Sequence, residues 1–253
     1  MDSDRFEARM RALEYYHSLR LVPGTWTVVR VDGRGFTRFT GERFEKPFDL
    51  RFRDLMLGAA RALMEEMGGL YAYTESDEIS VLFGPDWDFF DRELEKVVSL
   101  SAALASSTFT LAAGAAVQFD SRVWVGIDPE TVVDYFRWRQ TDAGRCALNG
   151  WCYWTLRKAG HGAQAAASTL ERMRADSKHE LLFRHGINFA ELPAWQRRGL
   201  GIRWETYEKP GFNPNTGQEV TALRRRLAVD EELPVKDDYA GYVRAILASG
   251  RKG

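Results

Sequence analysis

The chain has 253 residues, of which 45% are hydrophobic, and its formal net charge is −1 at pH 7. This length and apolar content fit one large domain or two small ones, and they exclude an intrinsically disordered chain. Residues 1–150 hold 18 Lys/Arg against 24 Asp/Glu, whereas residues 151–253 hold 17 against 12. An acidic front half suits metal ligands and a basic back half suits a polyanion, although an imbalance of this size also arises by chance.

The N-terminal residues lack an apolar signal segment, and no uninterrupted apolar run approaches the roughly 20 residues that span a membrane. Cys146 and Cys152 show no CxxC spacing, which disfavours a zinc site or a disulfide framework and fits a reducing compartment. The four histidines match no metal-binding spacing. The sequence therefore predicts a soluble cytoplasmic protein with no membrane partner.

In chain order, the first predicted element is a helix over residues 4–20. Its apolar residues recur every three to four positions, which predicts that one stripe packs on the body of the protein. A strand follows over 26–31, with alternate residues on one face. Residues 33–48 read as a loop, and Asp49 is a good N-cap for a helix that ends at Gly68-Gly69. The apolar stripe of the first helix consists of Phe6, Met10, Leu13 and Tyr16.

The following elements complete a recognisable order. Two strands at 70–74 and 79–83 are joined by the turn 75–78, and a helix over 88–107 precedes a strand within 111–125. Strand, helix, strand, strand, helix, strand is the ferredoxin-like pattern. The predicted fold class is therefore α+β, with a ferredoxin-like palm (βαββαβ) in strand order 4-1-3-2.

The C-terminal half reads as helices and a hairpin. Asp128-Pro129-Glu130 is a strong helix start. Its helix runs to about residue 159, and Gly144 is a position where it either breaks or bends. The later elements are predicted as short helices at 162–174 and 176–184, strands at 203–207 and 219–223 around a loop at 210–217, and a helix at 239–248. We predict a palm-like catalytic region with an N-terminal helix over 1–127, and a helical and hairpin region over 128–253 that packs on it as one structural unit.

Two carboxylates follow strands in the predicted palm. Asp32 ends the first strand and Asp77 lies in the turn between the second and third. In strand order 4-1-3-2 these two positions meet at one edge of the sheet, although 45 residues separate them. Mg²⁺ takes oxygen ligands and usually keeps phosphate and water as partners, so the pair is a candidate site for Mg²⁺ and a nucleoside triphosphate. Taken singly, each Asp is more often an ordinary turn residue than a metal ligand.

Several segments at these positions resemble the tRNA-His guanylyltransferase family and its Thg1-like relatives, which are 3′-to-5′ nucleotide-adding polymerases. The similarity covers roughly residues 5–160, and a weaker similarity lies at Lys209–Val220. Lys46-Pro47-Phe48-Asp49 matches a Lys-Pro-Asn-Asp segment, with Phe48 in place of Asn. The other matching segments are Asp32-Gly33-Arg34-Gly35-Phe36, Ala72-Tyr73-Thr74-Glu75-Ser76-Asp77-Glu78, Phe119-Asp120-Ser121-Arg122 and Trp138-Arg139-Gln140-Thr141-Asp142.

The resemblance implies roles for individual residues. Asp32, Asp77 and the Gly33 carbonyl would hold two Mg²⁺ ions during phosphoryl transfer, and Glu78 would either complete the catalytic site or stabilise the turn. Nucleotide-binding residues for GTP or ATP would be Gly33, Arg34, Gly35, Phe36, Lys46, Ser76 and Asp77. The resemblance also implies a tRNA partner and a homotetramer built from dimers. From the basic runs, candidate RNA-binding residues are Arg197, Arg198, Arg224, Arg225 and Arg226, although such runs also form solvated surfaces.

One departure separates the chain from the guanylyltransferase proper. Where the family shows His-Ile-Asn-Asn-Leu-Tyr-Asn, the chain has Gly144–Gly150 without the His or the paired Asn. That motif is associated with activation of a 5′-monophosphate, so its loss favours template-dependent repair of 5′-truncated tRNA. Addition of the extra 5′ guanosine to tRNA-His is the first alternative. A palm-type nucleotide cyclase and a non-catalytic RNA-binding relative are the others.

Overall fold

The structure, a computed structural model, describes residues 3–213 and 218–250, and leaves the side chains of Asn213, Val220 and Gly250 undescribed. Its strands are β1 Trp26–Gly33, β2 Tyr71–Glu75, β3 Glu78–Phe83, β4 Phe119–Gly126, β5 Leu200–Asn213 and β6 Gln218–Asp230. Its α-helices are α1 Ser3–Arg11, α2 Phe36–Arg43, α3 Leu50–Met67, α4 Leu94–Ala113, α5 Pro129–Lys158, α6 Ala163–Leu170, α7 Ala175–Arg184, α8 Ala194–Arg198 and α9 Lys236–Gly250. Three short 3₁₀ segments lie at Tyr15–Ser18, Phe89–Arg92 and Phe189–Glu191.

The strands form a single antiparallel sheet in the order β4-β1-β3-β2-β5-β6. Its first four members show the predicted 4-1-3-2 order, which confirms the ferredoxin-like palm. The hairpin β5–β6 extends the palm sheet through pairing of β5 with β2. Residues from the C-terminal half thus complete the sheet that residues from the N-terminal half begin, while the division at residue 127 stays a prediction.

Each face of the sheet is covered by helices because its strands alternate apolar side chains between two cores. Val29 and Val31 pack with α3 and α4 in one buried cluster. Trp26 and Val28 pack with α5 and α9 in another. The predicted alternation along β1 is therefore confirmed. Arg30 points to the α5 side, where its guanidinium lies over the ring of Trp138.

The long helix α5 begins and continues as its sequence dictates, with one correction. The Asp128 carboxylate accepts a hydrogen bond from the Thr131 amide at 2.9 Å, and Pro129 occupies the first turn, as predicted. The helix does not break or end at Gly144, where a break was one of the two expectations. A Cβ at Gly144 would stand 3.5 Å from the Arg197 carbonyl oxygen. That distance is an ordinary van der Waals contact, so a side chain would fit there, and the packing of α5 against α8 outweighs the roughly 1 kcal/mol helix penalty of glycine.

The predicted N-terminal helix is present but shorter than expected, and its predicted packing is wrong. The helix α1 ends at Arg11, a 3₁₀ turn follows, and no residue of either segment is buried. Phe6 and Leu13 are 49% and 60% exposed. A helix of nine residues with charges on several sides presents too narrow an apolar face to dock on the sheet.

The predicted loop at 33–48 is also wrong, because it contains α2. Two phenylalanines override the loop-like Gly and Thr content of this stretch. Phe36 is 2% exposed and packs with Phe39 and Phe109 at ring-centroid distances of 5.5 and 5.3 Å. Burying aromatic rings of this size outweighs weak local helix propensity.

The C-terminal hairpin is longer than predicted. β5 and β6 pair from Gly201↔Asp230 to Asn213↔Gln218, so part of the predicted loop belongs to a two-stranded ribbon. Cross-strand pairing overrides Pro210, which is tolerated at a sheet edge. The remainder of that loop, residues 214–217, lies outside the described residues.

One helix among the described residues is long and apolar enough to cross a membrane by length and composition. This is α4, whose most apolar stretch of 18 residues has a mean hydropathy of 1.3 and is 22% buried. Its buried residues, including Val97 and Phe109, pack in the same cluster as α3. Helices that form part of a protein core pass the same test, and the predicted cytoplasmic location stays a prediction.

Candidate active site at the edge of the sheet

Asp32 and the turn at residues 76–77 meet at one edge of the sheet, as the predicted topology requires. β1 and β3 pair so that Asp32 lies opposite Glu78. The Gly33 amide donates a hydrogen bond to the Asp77 carbonyl oxygen at 3.0 Å, which ties the end of β1 to the turn. On the other side of β1, Asp32 lies opposite Asp120 of β4. Backbone pairing on rigid strands therefore gathers carboxylates that are distant in sequence.

Glycine is required at position 33 by a close approach. A Cβ there would lie 2.4 Å from the Phe36 ring, which is fixed in the core. Any side chain at position 33 would clash with the Phe36 ring, and the Gly33 carbonyl oxygen remains a candidate metal ligand. The Phe36 ring is almost fully buried, so Phe36 offers a nucleotide chiefly its backbone.

The two aspartates crowd negative charge into a partly desolvated site. Burial raises the pKa of Asp77, and the charge of Asp32 raises it further. Burial likewise raises the pKa of Asp32, with the Asp120 carboxylate as the next cause, while Arg122 and Arg30 oppose the shift. Carboxylates held together at such a cost are typical of sites that bind a cation or move protons.

Glu78 is occupied by an ion pair. Arg139 of α5 donates to it twice, with Nε–Oε1 at 2.7 Å and the second nitrogen–Oε2 at 2.8 Å. Arg30 Nε lies 3.7 Å from the same carboxylate. Both side chains of the bidentate pair are about nine-tenths buried. The sequence allows Glu78 either to complete the catalytic site or to stabilise the turn. The geometry favours the second role, because both carboxylate oxygens already accept hydrogen bonds.

The loop after β1 turns into α2 at Gly35. Gly35 has φ +72°, a conformation that favours glycine, and it is the N-cap of α2. No side chain caps this helix end, so first-turn amides are candidate donors to a phosphate group. Arg34 is turned aside, since its guanidinium donates to the Gln118 side chain at 3.1 Å.

Lys46 faces the same cleft. Its ammonium donates to the Thr40 hydroxyl and lies 5.9 Å from the centroid of the Trp154 ring. Burial lowers the pKa of Lys46, while the charges of Asp77 and Asp49 act in the opposite direction. Ser76, at φ +51°, donates to Asp77 Oδ1 at 3.0 Å. Lys46 is thus a cation near Asp77, and Ser76 orients the Asp77 carboxylate.

Lys46, Ser76 and Asp77 line a cleft of about 660 Å³ between α2, α3 and α5. One wall is aromatic: Phe48 and Trp195 line it with their ring centroids 5.6 Å apart, and Trp151 packs against Phe48 at 6.3 Å. The volume and the mixture of aromatic and polar lining suit a nucleotide. Arg145, Cys146 and Asn149 of α5 also line the cleft, at the place of the lost His and Asn motif.

Sequence reasoning gave no role to several residues that shape this site. They are Arg30, Glu75, Arg139, Trp151, Trp154 and Trp195. The segment carrying Arg139 matched the family pattern, but its partner Glu78 is 61 residues away. No short spacing signals such a pair, and only the packing of α5 on the sheet brings it together.

Glu75 is a half-buried carboxyl at the end of β2 that lines the cleft. Burial, reinforced by the charge of Glu78, raises the pKa of Glu75 from 4.5 to about 7. A carboxyl whose pKa is higher in the folded state binds more protons when folded. Its contribution to stability is therefore fully present below pH 4.5 and is lost as the pH rises through about 7.

We expect Glu75→Gln to remove this part of the pH dependence. In metal-free buffer, the wild-type free energy of unfolding should decline by roughly 3 kcal/mol from Glu75 alone between these two pH values. The variant, which cannot ionise here, should decline less and be the more stable protein at pH 8. Urea unfolding at pH 4.5, 6 and 8 measures this. Parallel pH profiles for the two proteins would contradict the assignment.

The predicted RNA-binding arginines do not form one cluster. Arg197 and Arg198 are half-buried and donate to the Leu192 and Leu233 carbonyl oxygens at 2.7 and 2.8 Å. The run 224–226 lies on the exposed ribbon and alternates between its faces. Arg225 stacks on Trp204, at 4.9 Å from the ring centroid.

Arg224 and Arg226 share the opposite face of the ribbon. There Arg226 stacks on Tyr207, at 5.0 Å, and pairs with Glu205 at 2.5 Å. Within the described ranges, Arg224 makes no ion pair. The run 224–226 therefore places two arginines on one face of the ribbon and a single arginine on the other.

Two family models match the chain. The model described as tRNAHis guanylyltransferase matches residues 7–130, and the model described as Thg1 C terminal domain matches residues 130–235. The tRNA(His) guanylyltransferase of Schizosaccharomyces pombe is 32% identical over 223 residues, covering 80% of this chain and 85% of the relative. A probable tRNA(His) guanylyltransferase of Dictyostelium discoideum is 32% identical over 242 residues, covering 90% and 93%.

Solved structures show the same similarity over nearly the whole chain. A bacterial tRNA(His) guanylyltransferase (Thg1)-like protein in complex with GTP superposes with a TM-score of 0.75 at 27% sequence identity. The match covers 96% of this chain and 99% of that one. A bacterial Thg1-like protein in complex with ATP gives the same TM-score and identity.

Proposed function

Because the chain belongs to the tRNA(His) guanylyltransferase family, and is thus a nucleotidyltransferase, we propose that its main reaction is template-dependent repair of 5′-truncated tRNA. Nucleotides would be added at the 5′ end, in the 3′-to-5′ direction. The observation that carries this reading is the α5 wall of the cleft. It presents Arg145, Cys146 and Asn149 where the family's activation motif has its His and paired Asn.

We propose that GTP or ATP binds in the cleft. The neighbouring structures named for GTP and ATP complexes support this ligand class. The uncapped amides of α2 and the Lys46 ammonium would bind phosphate oxygens, and Ser76 would hold Asp77 in place. Phe48 and Trp195, which both line the cleft, offer a stacking surface for the base.

The residues at the sheet edge fit Mg²⁺. Asp32 and Asp77 supply hard oxygen donors. Burial raises the pKa of both, and a neighbouring carboxylate raises each further, Asp120 for Asp32 and Asp32 for Asp77, so a bound cation would relieve both effects. They would hold the ions with the Gly33 carbonyl. When bound, Mg²⁺ polarises the attacked phosphate and neutralises charge on the leaving group. Burial raises the pKa of Glu78, while the charges of Arg139 and Arg30 act in the opposite direction, and their contacts with Glu78 hold the turn that carries Asp77.

The proposed step on a 5′-triphosphate RNA balances without an activating reaction. The 3′-hydroxyl oxygen of the incoming nucleotide forms a bond to the RNA α-phosphorus, and its proton passes to water. The bond from that phosphorus to the β-phosphate oxygen breaks, which releases pyrophosphate. The cleft contributes by holding the two reactants in line and by restricting water around them.

A second candidate is addition of the extra 5′ guanosine to tRNA-His. The names of the curated relatives favour it, since they are described as tRNA(His) guanylyltransferases. This reaction on a monophosphate end needs a prior activation, for which the cleft lacks the family's His and paired Asn. The family match leaves the nucleotide cyclase and the non-catalytic reading without specific support.

We propose that the tRNA backbone contacts the ribbon face that carries Arg224 and Arg226. We expect Arg224→Ala/Arg226→Ala to reduce the slope of log K against log salt by up to about 2, since each lost phosphate contact releases roughly 0.7–0.9 fewer counterions. Arg225→Ala, on the opposite face, is the matched control. Filter binding over a salt series measures both. Equal slopes in the double variant and the wild type would mean that this face is solvated surface.

A homotetramer built from dimers remains part of this proposal, as does a cytoplasmic location. The activity itself is tested by incubating the protein with RNA, a labelled nucleoside triphosphate and Mg²⁺. Label in RNA that disappears with a chelator supports the polymerase reading. A labelled cyclic nucleotide would instead indicate a cyclase, and binding of RNA without either product would indicate a non-catalytic protein.

A further inference from the structure

Three potential metal ligands meet far from the proposed active site. His17 Nδ1 lies 3.1 Å from Glu93 Oε1 and 3.8 Å from Glu95 Oε2, and one ligand atom from each residue falls within 4.8 Å of the others. The cluster sits where the N-terminal segment meets the start of α4. It lies near the beginning of β1, whereas Asp32 lies near its end, so this strand of about 25 Å separates the two sites.

The central residue of the cluster is a buried carboxylate with an unsatisfied oxygen. Glu93 is 8% exposed, and its Oε1 has no hydrogen-bond partner among the described residues. His17 Nδ1 lies 3.1 Å from this oxygen without forming a hydrogen bond to it. A buried carboxylate oxygen that accepts no hydrogen bond is costly, and a bound cation would remove that cost.

The two separations from His17 Nδ1 are close to what a small divalent cation requires, and the third is at most 4.8 Å. With Zn–N and Zn–O bonds of roughly 2.0–2.1 Å, tetrahedral ligand atoms stand about 3.3 Å apart. The observed 3.1 and 3.8 Å separations lie on either side of that value. One imidazole with two carboxylates selects a zinc-type cation over Mg²⁺ or Ca²⁺, which take oxygen ligands alone.

The backbone holds these ligands in place from both sides. The Leu21 amide donates to the Arg92 carbonyl oxygen, and the Leu94 amide donates to the Leu19 carbonyl oxygen, each at 2.9 Å. Arg20 and Glu93 form an isolated antiparallel bridge between these bonds. The N-terminal segment is thus paired with the residues around Glu93, and binding needs little reorganisation of the chain.

We propose that His17, Glu93 and Glu95 bind one Zn²⁺-type cation, with water completing its coordination, and that this ion fastens the N-terminal segment to α4. No sequence spacing indicates this site, because 76 residues separate His17 from Glu93. The site is independent of the proposed catalysis. The competing explanation is an ordinary ion pair between a protonated His17 and the two carboxylates.

The test is a Zn²⁺ titration by calorimetry of the full chain, first stripped of metal with a chelator. Asp32→Asn/Asp77→Asn serves as the background, with excess Mg²⁺ present, so that the catalytic carboxylates do not contribute. We expect one Zn²⁺ to bind. His17→Ala should weaken binding by at least about tenfold, because even loss of an outer-shell partner typically weakens metal sites that much. His161→Ala, which removes an imidazole outside the cluster, should change nothing.

A second variant guards against misfolding. Glu95 is exposed, with a side-chain exposure of 62%, so Glu95→Gln should fold normally and still weaken Zn²⁺ binding. Zn²⁺ should also raise the melting temperature of the background protein and not that of its His17→Ala derivative, since a ligand of the folded state stabilises it. Equal affinity and stoichiometry in the His17→Ala, Glu95→Gln and His161→Ala proteins would overturn the proposal.

Discussion

Asp32→Asn and Asp77→Asn are each expected to abolish nucleotide addition while leaving the protein folded. Loss of one ligand removes charge stabilisation worth several kcal/mol at the transition state, which corresponds to at least about a thousandfold in rate. Stability should not fall, because both carboxyls have pKa values raised by burial and repulsion. Replacing either with a neutral amide of the same shape removes an unfavourable charge.

The measurement combines single-turnover rates with urea unfolding of each variant at neutral pH. Asp134→Asn on α5 is the matched control, because its carboxylate is exposed and pairs with Arg137, and neither residue lines the cleft. The control should keep the wild-type rate. A variant at position 32 or 77 that is folded and retains more than about a tenth of that rate would contradict the assignment of these two carboxylates.

The second large effect concerns the substrate. We expect faster addition to a 5′-truncated tRNA with a triphosphate end than to intact tRNA-His with a monophosphate end. Triphosphorylated RNA already carries its leaving group, whereas a monophosphate must first be activated. The cleft wall at Arg145, Cys146 and Asn149 lacks the family's His and paired Asn for that activation.

Four substrates resolve this expectation: truncated and full-length tRNA, each with a mono- or a triphosphate end. Single-turnover rates on the four separate the effect of the phosphate from the effect of length. The full-length triphosphate tRNA is the internal control for binding. If intact monophosphorylated tRNA-His reacts faster than both truncated substrates, the protein is a guanylyltransferase in the strict sense, and another part of the chain replaces the missing motif.

The palm was predictable because strand signals and topology are strongly constrained. The alternation along β1 and the order of six elements sufficed to place Asp32 near Asp77, and pairing of β1 with β3 confirms it. The start of α5 at Asp128 was equally predictable from the sequence, because helix capping is a local effect. Where local chemistry and global topology agreed, the sequence predicted the structure.

The failures arise where tertiary packing overrides local signals. The Gly and Thr residues of α2 disfavour a helix locally, and the burial of Phe36 stabilises the helix in the folded protein. The N-terminal stripe has helical periodicity, yet α1 finds no partner surface in the described chain. Two contacts of the site join distant segments: the Glu78–Arg139 ion pair and the packing of Phe48 on Trp195. No sequence spacing predicts such contacts.

The proposed repair activity has a direct test in the product itself. The protein is incubated with a 5′-truncated tRNA triphosphate, Mg²⁺ and each nucleoside triphosphate in turn, and the new 5′ end is mapped. The account predicts extension at the 5′ end by the nucleotide complementary to the opposite base, with a matching change of nucleotide when that base is altered. Addition of guanosine whatever the opposite base, or no extension by a folded protein, would contradict it.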